Sequence, residues 1–126
     1  MVRLLAVCLA GAVGTGLRYL VAIGAARLFG AAFPWGTLAV NVVGCFLMSV
    51  VAYAAATRVL SPEARVILAT GFMGGLTTYS AFNWDTLAFA RDGAWGTAMM
   101  NIGATLIGSM GAGVLGLALG RAMFGG

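Results

Sequence analysis

Four long apolar stretches, separated by short clusters of proline, glycine and charge, set the pattern of this chain. The first covers residues 4–29 and ends at Gly30-Ala31-Ala32-Phe33-Pro34. The second covers 35–57. Ser61-Pro62-Glu63 then reads as a helix start, with serine as N-cap, proline at the first helical position and glutamate in the first turn. The third stretch covers 62–90 and stops at Arg91-Asp92-Gly93, and the fourth covers 94–123. About 20 apolar residues of helix cross a hydrocarbon core of about 30 Å. Each stretch therefore predicts one transmembrane helix. The expected fold is an all-α membrane protein, one four-helix domain over residues 1–126, with no linker, low-complexity tail or internal repeat.

Polar positions inside these stretches carry the functional signal. The run Gly71-Phe72-Met73-Gly74-Gly75-Leu76-Thr77-Thr78-Tyr79-Ser80-Ala81-Phe82 does not suit a plain lipid-facing helix. Irregular backbone at membrane depth is tolerated only where protein or a water-filled cavity satisfies it. Gly74-Gly75 is the expected break in the third helix, freeing carbonyls such as those of Gly74 and Thr77. Carbonyls freed in this way inside a membrane typically hold a cation, and two copies meeting there would share one on a symmetry axis. The fourth helix carries Asn101, Thr105 and Ser109 at four-residue spacing, hence on one face. The second carries Thr37 and Asn41 in the same relation. These ladders predict a polar track. Gly108, Ala112, Gly116 and Gly120 form a stripe of small residues that predicts close helix contact.

Composition agrees and excludes several classes. The 126 residues are 62% hydrophobic and 8% charged, against about 25% charged in soluble domains. The net charge of +4 comes from arginine alone, scattered at helix ends with no basic patch or tail. That pattern argues against a nucleic-acid partner. The chain has no histidine, and its only carboxylates are Glu63, Asp85 and Asp92, so an enzyme is not expected. Cys8 and Cys45 match no metal or redox spacing and read as small buried residues. The first apolar stretch runs on past Arg18 without a small-residue cleavage site, so this helix is expected to remain in the mature protein. Four crossings place Arg3, Arg58, Arg65 and Arg121 on one side and Arg27 and Arg91 on the other. This arginine bias is weak and predicts insertion in both orientations, with pairing as an antiparallel dimer.

Hydroxyls and amides serve either sign of ion, so charge must decide between them. No carboxylate lies at mid-membrane depth, whereas Arg18 lies well inside the first helix. An ionisable residue at such depth is a functional candidate by default, and this one attracts anions. Tyr79 and Phe82 share a helix face, and the positive edges of their rings can face an anion. The rival class is a small dual-topology multidrug or cation antiporter, which would want the missing central acid.

The segments Gly14-Thr15-Gly16-Leu17-Arg18, 36–46 and 71–82, with the polar stripe of the fourth helix, resemble the small fluoride channels called Fluc or CrcB. The resemblance spans nearly the whole chain. It implies an antiparallel, dual-topology homodimer in the bacterial inner membrane, with two fluoride pores and a central structural sodium ion. By position, Asn41 would donate to fluoride, and Phe82 and Tyr79 would present ring edges. Ser109, Thr105, Asn101 and Thr37 would line the pore, and Arg18 its vestibule. Gly74 and Thr77 would give carbonyls to sodium. Three departures from the usual pattern occur: Tyr79 stands for phenylalanine, Asn83-Trp84-Asp85 for serine, an apolar residue and glutamate, and Asn101 for a tyrosine found in some relatives.

Overall fold

Backbone removed from water must close its own hydrogen bonds, and this chain does so as helix along most of its described length. The computed structural model describes residues 1–125. Its elements are α1 (Val2–Phe29), α2 (Trp35–Ala56), α3 (Pro62–Val66), a π-helical stretch (Ile67–Met73), α4 (Gly74–Leu76), α5 (Tyr79–Arg91) and α6 (Trp95–Phe124). No strand occurs among the described residues. α1, α2 and α6 are each long and apolar enough to cross a membrane. The stretch between α2 and α6 is helical in two limbs. α3, the π stretch and α4 run on as the first limb, and α5 is the second. With 13 residues, α5 reaches roughly 20 Å at 1.5 Å per residue, too short to span the core alone.

The turns follow local chemistry. Ser61 Oγ accepts from the Ala64 N–H at 3.1 Å, with proline at the first position of α3. After α5, Gly93 takes φ +78°. There the Gly93 and Ala94 N–H groups donate to Ala90 and Phe89 carbonyls at 3.1 and 2.8 Å. Glycine accepts this left-handed closure without strain.

Small residues set the packing. In the α2–α6 pair, Gly116 lies against the Phe46 backbone, where an added Cβ would stand 3.1 Å from Phe46 Cα. At Gly120 a Cβ would meet the Tyr53 side chain at 2.9 Å. α1 and the first limb approach as closely: a Cβ at Gly14 would lie 2.9 Å from the Leu76 nitrogen, and one at Gly75 3.0 Å from the Thr15 nitrogen. Val40, Met73 and Leu76 form the buried core between these pairs.

The position of the break corrects the expectation. Gly74 and Gly75 are helical. The backbone becomes extended three residues later, at Thr77 (φ −84°, ψ 156°) and Thr78 (φ −153°, ψ 116°). Gly75 serves contact with α1, and Thr78 starts α5 as its N-cap, its hydroxyl accepting from the Ala81 N–H at 3.2 Å. The π-helical stretch was not expected from the sequence.

Candidate functional site

The break is held open by one side chain. Asn41, in the N-terminal half of α2, pairs with the Thr78 backbone through both its N–H and its carbonyl. Its Oδ1 accepts from the Thr78 N–H at 2.8 Å, and its Nδ2 donates to the Thr78 carbonyl at 3.0 Å. Both residues are buried. Asn41 thus supplies the backbone partners that a continuous helix would have provided, and one of its two amide N–H bonds stays uncommitted.

The same accounting locates free carbonyls. In an unbroken helix, the N–H groups of Thr78 and Ala81 would close on the Gly74 and Thr77 carbonyls. They go instead to Asn41 Oδ1 and Thr78 Oγ1. Gly74 is exposed, and a Cβ built on it would meet nothing in the chain nearer than 3.9 Å. Its small size therefore has no packing reason within one copy. Among the described residues no cluster of His, Cys, Asp or Glu could hold a metal; the freed backbone oxygens are hard donors of the kind a hard cation takes.

Beyond the break lies a cleft of about 250 Å³. Asn41, Thr78, Tyr79, Phe82, Thr105 and Ser109 all line it. The structure thereby brings together five of the seven predicted pore residues: Asn41, Tyr79, Phe82, Thr105 and Ser109. Thr105 Oγ1 and Ser109 Oγ are buried without a hydrogen-bond partner among the described residues. An unsatisfied buried polar group costs about 1–3 kcal/mol, so two such hydroxyls on one cleft wall mark a place for a polar ligand. Phe82 is buried, whereas Tyr79 is 76% exposed. Their rings meet edge-on, with centroids 5.7 Å apart at 61°.

The other predicted residues lie apart. Thr37 shares a second cavity, of about 340 Å³, with Asp85, beside Phe33 and Trp35 at the α1–α2 turn. Asn101 is 1% exposed and does not line the cleft. Its Nδ2 donates to Thr86 Oγ1 at 2.9 Å, and Thr86 Oγ1 donates to the Phe82 carbonyl at 2.8 Å. Asn101 thus anchors α6 to the turn of α5 that bears Phe82. Arg18 is half-buried and lines neither cavity. The sequence places Thr78 in the polar run 71–82 without marking it as a cap, and it does not mark Thr86. Thr78 was discoverable as a threonine N-cap ahead of α5, and Thr86 as the residue one turn beyond Phe82 on the same face.

This arrangement offers donors without negative charge, two hydroxyls and an amide around an aromatic edge, and it can accept a small anion. Comparison with known proteins points the same way. Residues 5–117 match the family described as "CrcB-like protein, Camphor Resistance (CrcB)". The chain is 48% identical over 124 residues to "Fluoride-specific ion channel FluC" of Rhizobium etli, covering 98% of this chain and 99% of that protein. It is 45% identical over 119 residues to the protein of that name from Sorangium cellulosum, covering 94% of each. It is 44% identical over 125 residues to the one from Agrobacterium fabrum, covering 98% of this chain and all of that protein.

Proposed function

The chain belongs to the CrcB family, and on that premise we propose that it is a fluoride-specific ion channel of the bacterial inner membrane. The observation that carries this reading is the cleft beside the break, where Asn41, Thr105 and Ser109 supply donors around Phe82. A small, strongly hydrated anion enters a filter only if its water is replaced. The uncommitted N–H of Asn41 and the two partnerless hydroxyls do this in turn, and the Phe82 ring edge completes the shell. Fluoride enters cells as the neutral acid, ionises inside and leaves passively through the channel, so no catalytic group is needed. Thr37 lines the approach to the pore, Arg18 draws anions to its vestibule, and Asn101 keeps the Phe82 turn in register.

The working unit is an antiparallel homodimer of dual topology, with two pores. Support comes from what one copy leaves uncovered at membrane depth. Gly74, Ser80 and Asn83 are exposed, and polar groups facing lipid are costly. A second copy on this face would cover them and bring two sets of Gly74 and Thr77 carbonyls together. The weak arginine bias permits both insertions. Sodium fits this carbonyl set and would supply the positive charge that joins the copies. Replacing sodium by a bulky organic cation is expected to lower dimer stability; unchanged stability would reduce the freed carbonyls to a kink.

The test of the function is ion release from liposomes holding the purified protein. Fluoride should leave rapidly, while chloride, under the same gradient, should stay. Well-folded protein that releases neither ion, or both equally, would contradict the reading.

A further inference from the structure

Arg3, Arg58 and Arg65 are scattered in the sequence, yet they line one cavity of about 540 Å³ where the start of α1 meets the α2–α3 turn. The wall around them is largely apolar, with Ala55, Leu60 and Val66. Among the described residues, the one ion pair is Arg91–Asp92, on a different turn. Glu63 stands in the first turn of α3, but it makes no ion pair with these arginines. Three like charges around one cavity, unneutralised by the protein, favour an anionic occupant.

Arg58 is placed by the closure of α2. It is the one non-glycine residue with positive φ among those described, at +61°. Its turn is closed by the Val59 and Leu60 N–H groups, which donate to the Ala54 carbonyl at 2.9 and 3.1 Å. Glycine or asparagine would take that left-handed backbone with less strain. The bond pattern is that of a helix C-terminal closure, as at Gly93, and it sets Arg58 at the end of α2 beside the cavity.

We propose that Arg3, Arg58 and Arg65 form a binding site for the phosphate of an anionic phospholipid headgroup. The guanidinium fork matches phosphate oxygens bidentately. The cavity opens at the charged ends of apolar crossing helices, the level at which headgroups lie and where basic pockets recognise them. Ala55, Leu60 and Val66 give the lipid's apolar part a surface that free phosphate cannot use. In an antiparallel pair, one such site would face each leaflet.

Native mass spectrometry of the detergent-purified protein tests this, with phosphatidylglycerol and phosphatidylcholine as probes and inorganic phosphate as competitor. Phosphatidylglycerol should be retained in preference to phosphatidylcholine. Arg3→Gln and Arg58→Asn should each reduce that retention roughly fivefold, as expected for one arginine near an anionic surface. Arg58→Asn suits the left-handed turn, so folding is preserved. Arg27→Gln, at the far end of α1, should leave retention unchanged. Equal retention of the two lipids, or an equal loss in Arg27→Gln, would overturn the proposal. So would displacement of the lipid by inorganic phosphate at equal concentration, which would assign the site to free phosphate.

Discussion

The α2–α6 pair and the broken crossing face the same demand, since both must satisfy backbone where water does not reach. In α2–α6 the helices stay whole, and glycines let them touch: Gly116 sits on the Phe46 backbone and Gly120 on Tyr53. The broken crossing gives up helical closure at Thr77–Thr78 and recovers it with one borrowed side chain, Asn41. At these glycines α2 and α6 meet through backbone and an aromatic ring. The break leaves carbonyls, an amide N–H and two hydroxyls with capacity to spare. Close packing and the candidate cleft thus lie at different places along the same helices: α2 and α6 pack through Phe46 and Gly116 and line the cleft with Asn41, Thr105 and Ser109.

This contrast can be broken from either side. The largest effect is expected for Gly116→Leu. Its Cβ would meet the Phe46 backbone, and overpacking costs about 1–3 kcal/mol or more where backbone cannot yield. Loss of monodisperse protein on size-exclusion chromatography is the expected outcome. Gly103→Ala on the same helix meets nothing within 4 Å and should elute as the wild type. Next is Asn41→Leu, which leaves the buried Thr78 N–H and C=O unpaired at about 1–3 kcal/mol each. Its thermal unfolding midpoint should fall and its fluoride flux with it; a variant as stable as the wild type would show that Asn41 does not hold the break.

Smaller effects should follow at the cleft's support. Thr86→Val removes the link from Asn101 to the Phe82 carbonyl. It should cost about 1 kcal/mol of stability and slow flux only partly, as read from efflux rates. Tyr79→Phe should change flux least, within about twofold. The tyrosine ring is 76% exposed, and its hydroxyl is not needed for the edge-on contact with Phe82. A large change in that variant would place the hydroxyl in the path.

The all-helical architecture and its three long apolar helices were legible because hydrophobic length is a strong signal and Ser61-Pro62 and Arg91-Asp92-Gly93 are strong punctuation. The cleft was partly legible, since four-residue spacing put Thr105 and Ser109 on one face. Three things were hidden. The break lies at Thr77–Thr78 and not at Gly74–Gly75, because a glycine pair marks close approach as readily as interruption, and here Gly75 meets α1. Asn101 shares the ladder's spacing with Thr105, yet its partner Thr86 draws it into an anchoring bond, a tertiary fact that periodicity does not contain. The gathering of Arg3, Arg58 and Arg65 depends on how the α2–α3 turn folds back over α1, and sequence distance conceals it.

The central claim is that fluoride crosses at the break, past Asn41 and Phe82. It is tested most directly by fluoride efflux from liposomes carrying equal amounts of wild-type protein and Phe82→Ile, with chloride measured in parallel. Rapid fluoride release by the wild type is expected, with release slowed by at least about tenfold in Phe82→Ile at the loss of its aromatic edge, and no chloride release from either. Equal fluoride rates in the two proteins would contradict it.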